Sequence, residues 1–239
     1  MNSRQLFEAG KLNEAIAALG AELRENPADA QRRTFLFELL CFAGNFDRAE
    51  KQLDVLAGAT PQAGMGALLY RSAIHAERTR AQMFRSNTLP LDGNASEAVS
   101  GTVNGKPFSS IADADPRIGA RLEIFAAGQY TWIPWQHVAS VKIEAAKRLR
   151  DVLWVPAVVR TSDDWRGQEL GEILLPGLAP LSFDYPDDEI RLGRATDWVE
   201  LPDGDYAPAG QKLIVIDGER VPLLDIRELE IHRAEKAAS

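Results

Sequence analysis

The chain reads as an α+β protein in which a helical repeat domain precedes a mainly β domain. Three observations predict this. Short motifs recur at one fixed offset within residues 6–61. A cluster of breaker residues interrupts the chain near residue 90. Beyond it, brief β-prone runs alternate with turn residues to the end. The predicted boundaries are a helical domain over 1–86, a linker over 87–99 and a β domain over 100–239.

The repeat is the most specific of the three. Ala9-Gly10-Lys11-Leu12-Asn13-Glu14-Ala15 is answered 34 residues later by Ala43-Gly44-Asn45-Phe46-Asp47-Arg48-Ala49, and Leu19/Leu53 and Pro27/Pro61 keep the same offset. That period belongs to the tetratricopeptide repeat, a helix–turn–helix unit that stacks on its own copies. Gly takes the tight turn, small Ala lets the helices approach, and Pro closes the second helix. Two unrelated amphipathic hairpins would need all these coincidences at one offset.

In chain order, residues 3–9 form a short first helix. Residues 13–25 carry Ile16, Leu19 and Leu23 on one face and stop at Asn26-Pro27. Asp29 caps a helix over 30–42, where Phe35, Leu36, Phe37, Leu39, Leu40 and Phe42 occupy nearly every face, so neighbours should sandwich it. Phe37 stands where the repeat favours a small residue, which predicts a splayed pair. A return helix follows over 47–56. Residues 62–85 make a longer capping helix, because Arg78 replaces the expected turn glycine. Past the breaker cluster Leu89-Pro90-Leu91-Asp92-Gly93-Asn94, the pair Asn104-Gly105 predicts a type I′ hairpin. Strands are predicted over 121–125, 130–135, 138–143, 153–160, 169–175, 194–201, 212–216 and 221–226. Prolines at 156, 176, 180, 186, 202, 208 and 222 should keep them short or at edges. Residues 234–239 should fray.

With 239 residues, 45% hydrophobic and 26% charged, the chain can bury a core and is not of disordered composition. A net charge of −8 disfavours nucleic acid and anionic membranes as partners. Cys41 is the single cysteine, which rules out an internal disulfide and any multi-cysteine metal site. No run approaches the roughly 20 apolar residues of a membrane span, and the amino terminus lacks an apolar signal core. The expectation is a cytoplasmic protein without membrane insertion.

Motifs for chemistry are scarce. His75, His137 and His232 have no partner at metal-ligand spacing, and neither His-Glu-x-x-His, Gly-x-Ser-x-Gly nor a phosphate-loop lysine occurs. Three acidic clusters, Asp113/Asp115, Asp163/Asp164 and Asp187/Asp188/Glu189, could hold a cation or pair as acid and base; their turn-rich flanks favour solvated turns. Cys41 reads as a small buried hydrophobe. Trp132, Trp135, Trp154, Trp165 and Trp198 read mostly as core, with a surface pair as an alternative partner anchor. No catalytic residue, metal or cofactor is expected. A hydrolase or metal-dependent enzyme built on the acidic clusters, and a regulatory module with an apolar ligand cavity, compete with a binding adaptor.

Several stretches resemble the ImpE family, also called TagJ. They are Asn26-Pro27-Ala28-Asp29, the run Leu36 to Gly44 with Asp47-Arg48-Ala49, Gly119 to Glu123, Gly128 to Pro134, Arg150 to Trp154 and Gly193 to Trp198. The resemblance implies a tetratricopeptide-like part joined to a β-rich part, in an accessory protein of the bacterial type VI secretion system. It further implies binding of the small subunit of the contractile sheath through that subunit's N-terminal helix, near the AAA+ ATPase that disassembles the sheath. No catalytic residue comes with the family.

Repeat register supplies candidate contacts for such a helix, because the first helix of each unit lines a concave face. The second unit presents Gln31, Thr34, Glu38, Cys41 and Phe42. The first contributes Arg4, Phe7 and Glu8, and the third arm contributes Met65, Leu68 and Ser72. Phe7, Phe42, Met65 and Leu68 suit apolar anchors, and Arg4 and Glu38 suit a polar rim. Phe42 and Leu68 equally suit a core.

Overall fold

Helix starts and stops in the first part follow from local chemistry. The helices are α1 (Ser3–Glu8), α2 (Leu12–Glu25), α3 (Ala30–Phe42), α4 (Phe46–Ala57) and α5 (Pro61–Ser86). Asn2 caps α1 in a reciprocal box with Gln5, Asp29 Oδ1 accepts the Arg32 N–H at 2.9 Å, and Thr60 accepts from Ala63 ahead of Pro61. Gly10 and Gly44 follow α1 and α3 with φ of +74° and +67°, a left-handed geometry that glycine adopts without strain. Within α3, Leu36 to Phe42 are all buried, so the helix is indeed sandwiched. Phe37 points to Tyr70 and Trp154, at ring-centroid distances of 5.7 and 6.3 Å. Aromatic groups of α5 and of the β half therefore accept the bulk that the repeat normally excludes.

The computed structural model describes residues 1–90, 98–163, 165 and 169–232. The breaker residues after Pro90, the Asp164 half of one acidic cluster and the predicted frayed end lie outside the described residues. The strands are β1 (Ser100–Val103), β2 (Lys106–Phe108), β3 (Ile111–Asp113), β4 (Arg121–Ala126), β5 (Gln129–Pro134), β6 (Val138–Ile143), β7 (Trp154–Thr161), β8 (Glu169–Pro176), β9 (Thr196–Glu200), β10 (Tyr206–Gly210), β11 (Leu213–Ile216), β12 (Glu219–Pro222) and β13 (Glu228–His232). A short helix, α6 (Asp188–Arg191), precedes β9. An antiparallel sheet runs β2-β1-β13-β6-β7-β8-β4-β5; β12-β11-β3 form a second sheet and β10-β9 a ribbon.

Three expectations need correction. The strand expected over 221–226 ends at Pro222, after which Leu223–Asp225 turn as a 3-10 helix that buries Leu223. Pro222 faces Leu213 at the last ladder position, and Leu223 N–H still donates to the Lys212 carbonyl at 2.9 Å before the chain turns away. Pro156 is not at an edge, since β7 lies inside the large sheet. It is tolerated because pairing with β6 stops at Ala157, so Pro156 lies past the end of that neighbour. Asp113 and Asp115 do not form a solvated turn: both are buried. Strands β3, β10 and β13 were not anticipated.

Period-two alternation assigns the strands' side chains to two cores. Leu122 and Ile124 of β4 join Ile133, Val155 and Ile214 between the sheets. Phe125, Tyr130, Trp132 and Trp154 instead join Phe37, Phe42 and Phe84 of the helices. The helical array and the β half thus share one continuous core.

Candidate protein-interaction surface

The concave face of the helical array is divided. Its far part is covered by the β half, beginning at Glu38, which is 7% exposed, with Cys41 at 2% and Phe42 at 0%. Arg150 makes the boundary: Nη1 donates to Glu38 Oε1 and Nε to the Tyr70 hydroxyl, both at 2.7 Å. Burial pushes the Glu38 carboxyl above its usual range, and the Arg150 charge opposes this. Trp154 stacks on Tyr70 with centroids 5.9 Å apart. Cys41 and Phe42 line an enclosed space of about 20 Å³ with Arg80, Leu153 and Leu178, room for one water and not for a ligand. Glu38 and Phe42 are therefore closed off from any partner in this conformation, and Phe42 belongs to the core.

The residues after Leu181 seat themselves on the two repeat glycines. Phe183 lies against Gly44 and meets Phe46 edge-on at 5.4 Å, and Glu189 lies against Gly10. A Cβ at Gly44 would stand 2.6 Å from the Phe183 ring. Arg194 Nη2 donates to the Phe7 carbonyl at 2.8 Å, and its guanidinium lies 4.6 Å over the Phe7 ring. Phe7 also meets Phe35 edge-on at 5.4 Å, so it is a packed seam residue and not a free anchor.

The near part of the face stays open. Arg4 and Gln31 line one groove of about 490 Å³ between α1, α2 and α3, with Leu19, Glu22 and Phe35. Glu8 is exposed and pairs with Arg4 at 3.7 Å, and half-buried Thr34 donates its hydroxyl to the Ala30 carbonyl. Met65 and Leu68 are 76% and 64% exposed on the first turns of α5, with Leu69 at 49%. Spacings of three and four put Met65, Leu68, Leu69 and Ser72 in one row. Leu69 and Ser72 continue into a groove of about 320 Å³ floored by Ala73, Phe125 and Leu174. Leu69 was missed from the sequence, although its spacing from Met65 was readable.

A buried ion cluster fastens α5 to the β half. Arg80 donates Nε and Nη2 to the two oxygens of Glu123 at 2.9 and 2.8 Å, Nη1 to Glu77 at 3.1 Å, and Nη2 to the Leu178 carbonyl. Tyr130 donates to Glu123, and Lys212 contacts Glu123 and Asp113. Burial alone would raise the Glu123 carboxyl, but the Arg80 and Lys212 charges outweigh it and hold it at about 2.

The acidic clusters are engaged separately. Asp113 faces Lys212, and Asp115 binds Arg117 at 2.6 Å. Asp187 caps α6 by accepting from Glu189 N–H, Asp188 pairs with Arg191 at 2.8 Å, and Asp163 is exposed. Among the described residues no three His, Cys, Asp or Glu side chains are grouped to hold a metal. No described helix is long and apolar enough to cross a membrane. Trp132, Trp135 and Trp154 are core, whereas Trp198 is half-exposed beneath Arg220, beside exposed Tyr206.

Comparison with known proteins agrees with this layout. The ImpE protein family model matches residues 105–230, and a tetratricopeptide repeat model matches residues 6–70. The type VI secretion system accessory component TagJ of Pseudomonas aeruginosa is 32% identical, over 96% of this chain and 91% of that protein. An X-ray crystal structure of a Vibrio parahaemolyticus protein has the same fold, with a TM-score of 0.82 at 23% identity, covering 98% of each chain. The chain therefore belongs to the ImpE family.

Proposed function

We propose that this protein is a non-catalytic, cytoplasmic adaptor of the type VI secretion system that holds an amphipathic helix of the small contractile-sheath subunit. Two facts favour a role in that system: a relative 32% identical is a type VI accessory component, and the helical part matches a repeat that serves protein binding. The observation that carries the reading is the open row Met65, Leu68 and Leu69, large apolar groups left in solvent on the first turns of α5. A partner helix laid across α1, α3 and α5 would bury its apolar stripe on that row, with Arg4, Glu8, Gln31 and Thr34 orienting it. Such docking would present the sheath subunit to the ATPase machinery that disassembles the sheath.

The test is calorimetric titration of a peptide of the sheath subunit's first helix into the wild type and into Met65→Ser/Leu68→Ser. Loss of roughly 1–3 kcal/mol in affinity is expected. Unchanged affinity in the folded variant would move the site to the β half, where Trp198 and Tyr206 are the exposed anchors.

A further inference from the structure

The ion cluster beneath α5 is unbalanced. Two cations, Arg80 and Lys212, face three carboxyls, Glu77, Glu123 and Asp113. The side chains of Arg80, Glu123, Lys212 and Asp113 are no more than 3% exposed. Among the described neighbours, Tyr130 donates to Glu123, Arg117 is taken up by Asp115, and Arg121 of β4 lies over the Trp132 ring with Nη1 on the Ile118 carbonyl. With all five groups ionised, a net negative charge would lie away from water, a state that protein interiors avoid.

The geometry says which carboxyl gives way. Glu123 accepts from Arg80 twice, from Tyr130 and from Lys212, so its charge is fully met. Glu77 keeps the Arg80 donor at 3.1 Å and is the most exposed of the three, at 12%. Asp113 Oδ1 accepts only the Asp115 N–H, at 2.9 Å, while Oδ2 touches the Lys212 ammonium without an aligned hydrogen bond. Asp113 and Glu77 are the two ends of this chain of charges, Asp113 is the more deeply buried end, and its Oδ1 has room for a proton.

We propose that the folded protein binds one proton at Asp113, which makes the seam between α5 and the β half a pH-sensitive latch. Burial pushes the Asp113 carboxyl up to about 7, with Lys212 pulling it down and Glu123 adding to the rise. Unfolded, the same group titrates near 3.8. Between these values the folded chain keeps a proton that the unfolded chain has released, so stability falls as pH rises through that window. Above it, the Asp113 carboxylate competes with Glu123 for Lys212 and weakens the set that holds Arg80.

The experiment compares melting temperatures of the wild type and Asp113→Asn from about pH 5 to about pH 8.5. Asn is neutral and nearly isosteric, so it stands in for the protonated acid. The stability of the variant relative to the wild type should climb as pH rises, by roughly 5 °C between about pH 5 and about pH 7, and level off above that. His75, His137 and His232 are common to both proteins and cancel in the difference. A variant less stable by one margin at every pH would overturn the proposal, because Asp113 would then be an ionised partner of Lys212. Infrared spectroscopy decides the matter if the variant does not fold. A protonated-carboxyl stretch that survives Glu77→Gln and bleaches as pH passes about 7 supports the proposal; its absence from the wild type on the acid side overturns it.

Discussion

The two ends of the concave helical face started from one repeat pattern and met different fates. At the far end Glu38, Cys41 and Phe42 are sealed under Arg150, Leu153 and Trp154. At the near end Met65 and Leu68 remain in solvent. The difference teaches that the β half acts as an internal ligand of the array. It occupies the part of the groove where large apolar and charged groups coincide, and it leaves a shorter platform for any external helix. Repeat register alone ranked both ends as equal candidates; burial separates them.

Breaking the covered end should have the largest effect. Arg80→Met would leave Glu77 and Glu123 buried without their main cation, and a loss of about 3–5 kcal/mol is expected in urea unfolding followed by tryptophan fluorescence. A loss below about 1 kcal/mol would mean that the seam contributes little to the fold.

Gly44→Ala sharpens the comparison at the seam itself. The left-handed backbone costs an L residue about 1–2 kcal/mol, and the new methyl would collide with Phe183. The same measurement should therefore show a loss at or above that range. A variant as stable as the wild type would show that the residues around Phe183 yield easily, and with them the cover over the groove.

The open end should respond least. Met65→Ser/Leu68→Ser removes exposed groups that touch no core, so unfolding free energy should move by less than about 0.5 kcal/mol per site. Destabilisation of the size seen for core residues would place these side chains in a core, and the surface reading would fail.

Much of the β half was legible from alternation and turns. Asn104-Gly105 takes left-handed φ values of +49° and +78° between β1 and β2, as its residue types require. The hairpin at Asp217-Gly218, with φ of +49° and +84°, offered the same signal, and so did the alternation of Glu-Leu-Glu-Ile-His in β13. A five-residue strand such as β13 offers too few alternations to stand out by periodicity alone. Tyr-Ala-Pro-Ala-Gly in β10 carries little strand propensity; it holds its place by pairing with β9.

The sequence by itself determined the helical repeat, because a 34-residue period, turn glycines and caps act within one or two turns of chain. It also determined the family, through motifs spread along both halves. Only the tertiary structure decided which face of the repeat stays open. That depends on Arg150 reaching Glu38 across 112 residues and on Arg80 reaching Glu123 across 43. Such pairings are set by how two cores merge, and charge or hydrophobicity at a single position carries no record of its distant partner. Asp113 makes the same point: a turn of acids reads as solvated until a lysine 99 residues away and a glutamate of β4 enclose it.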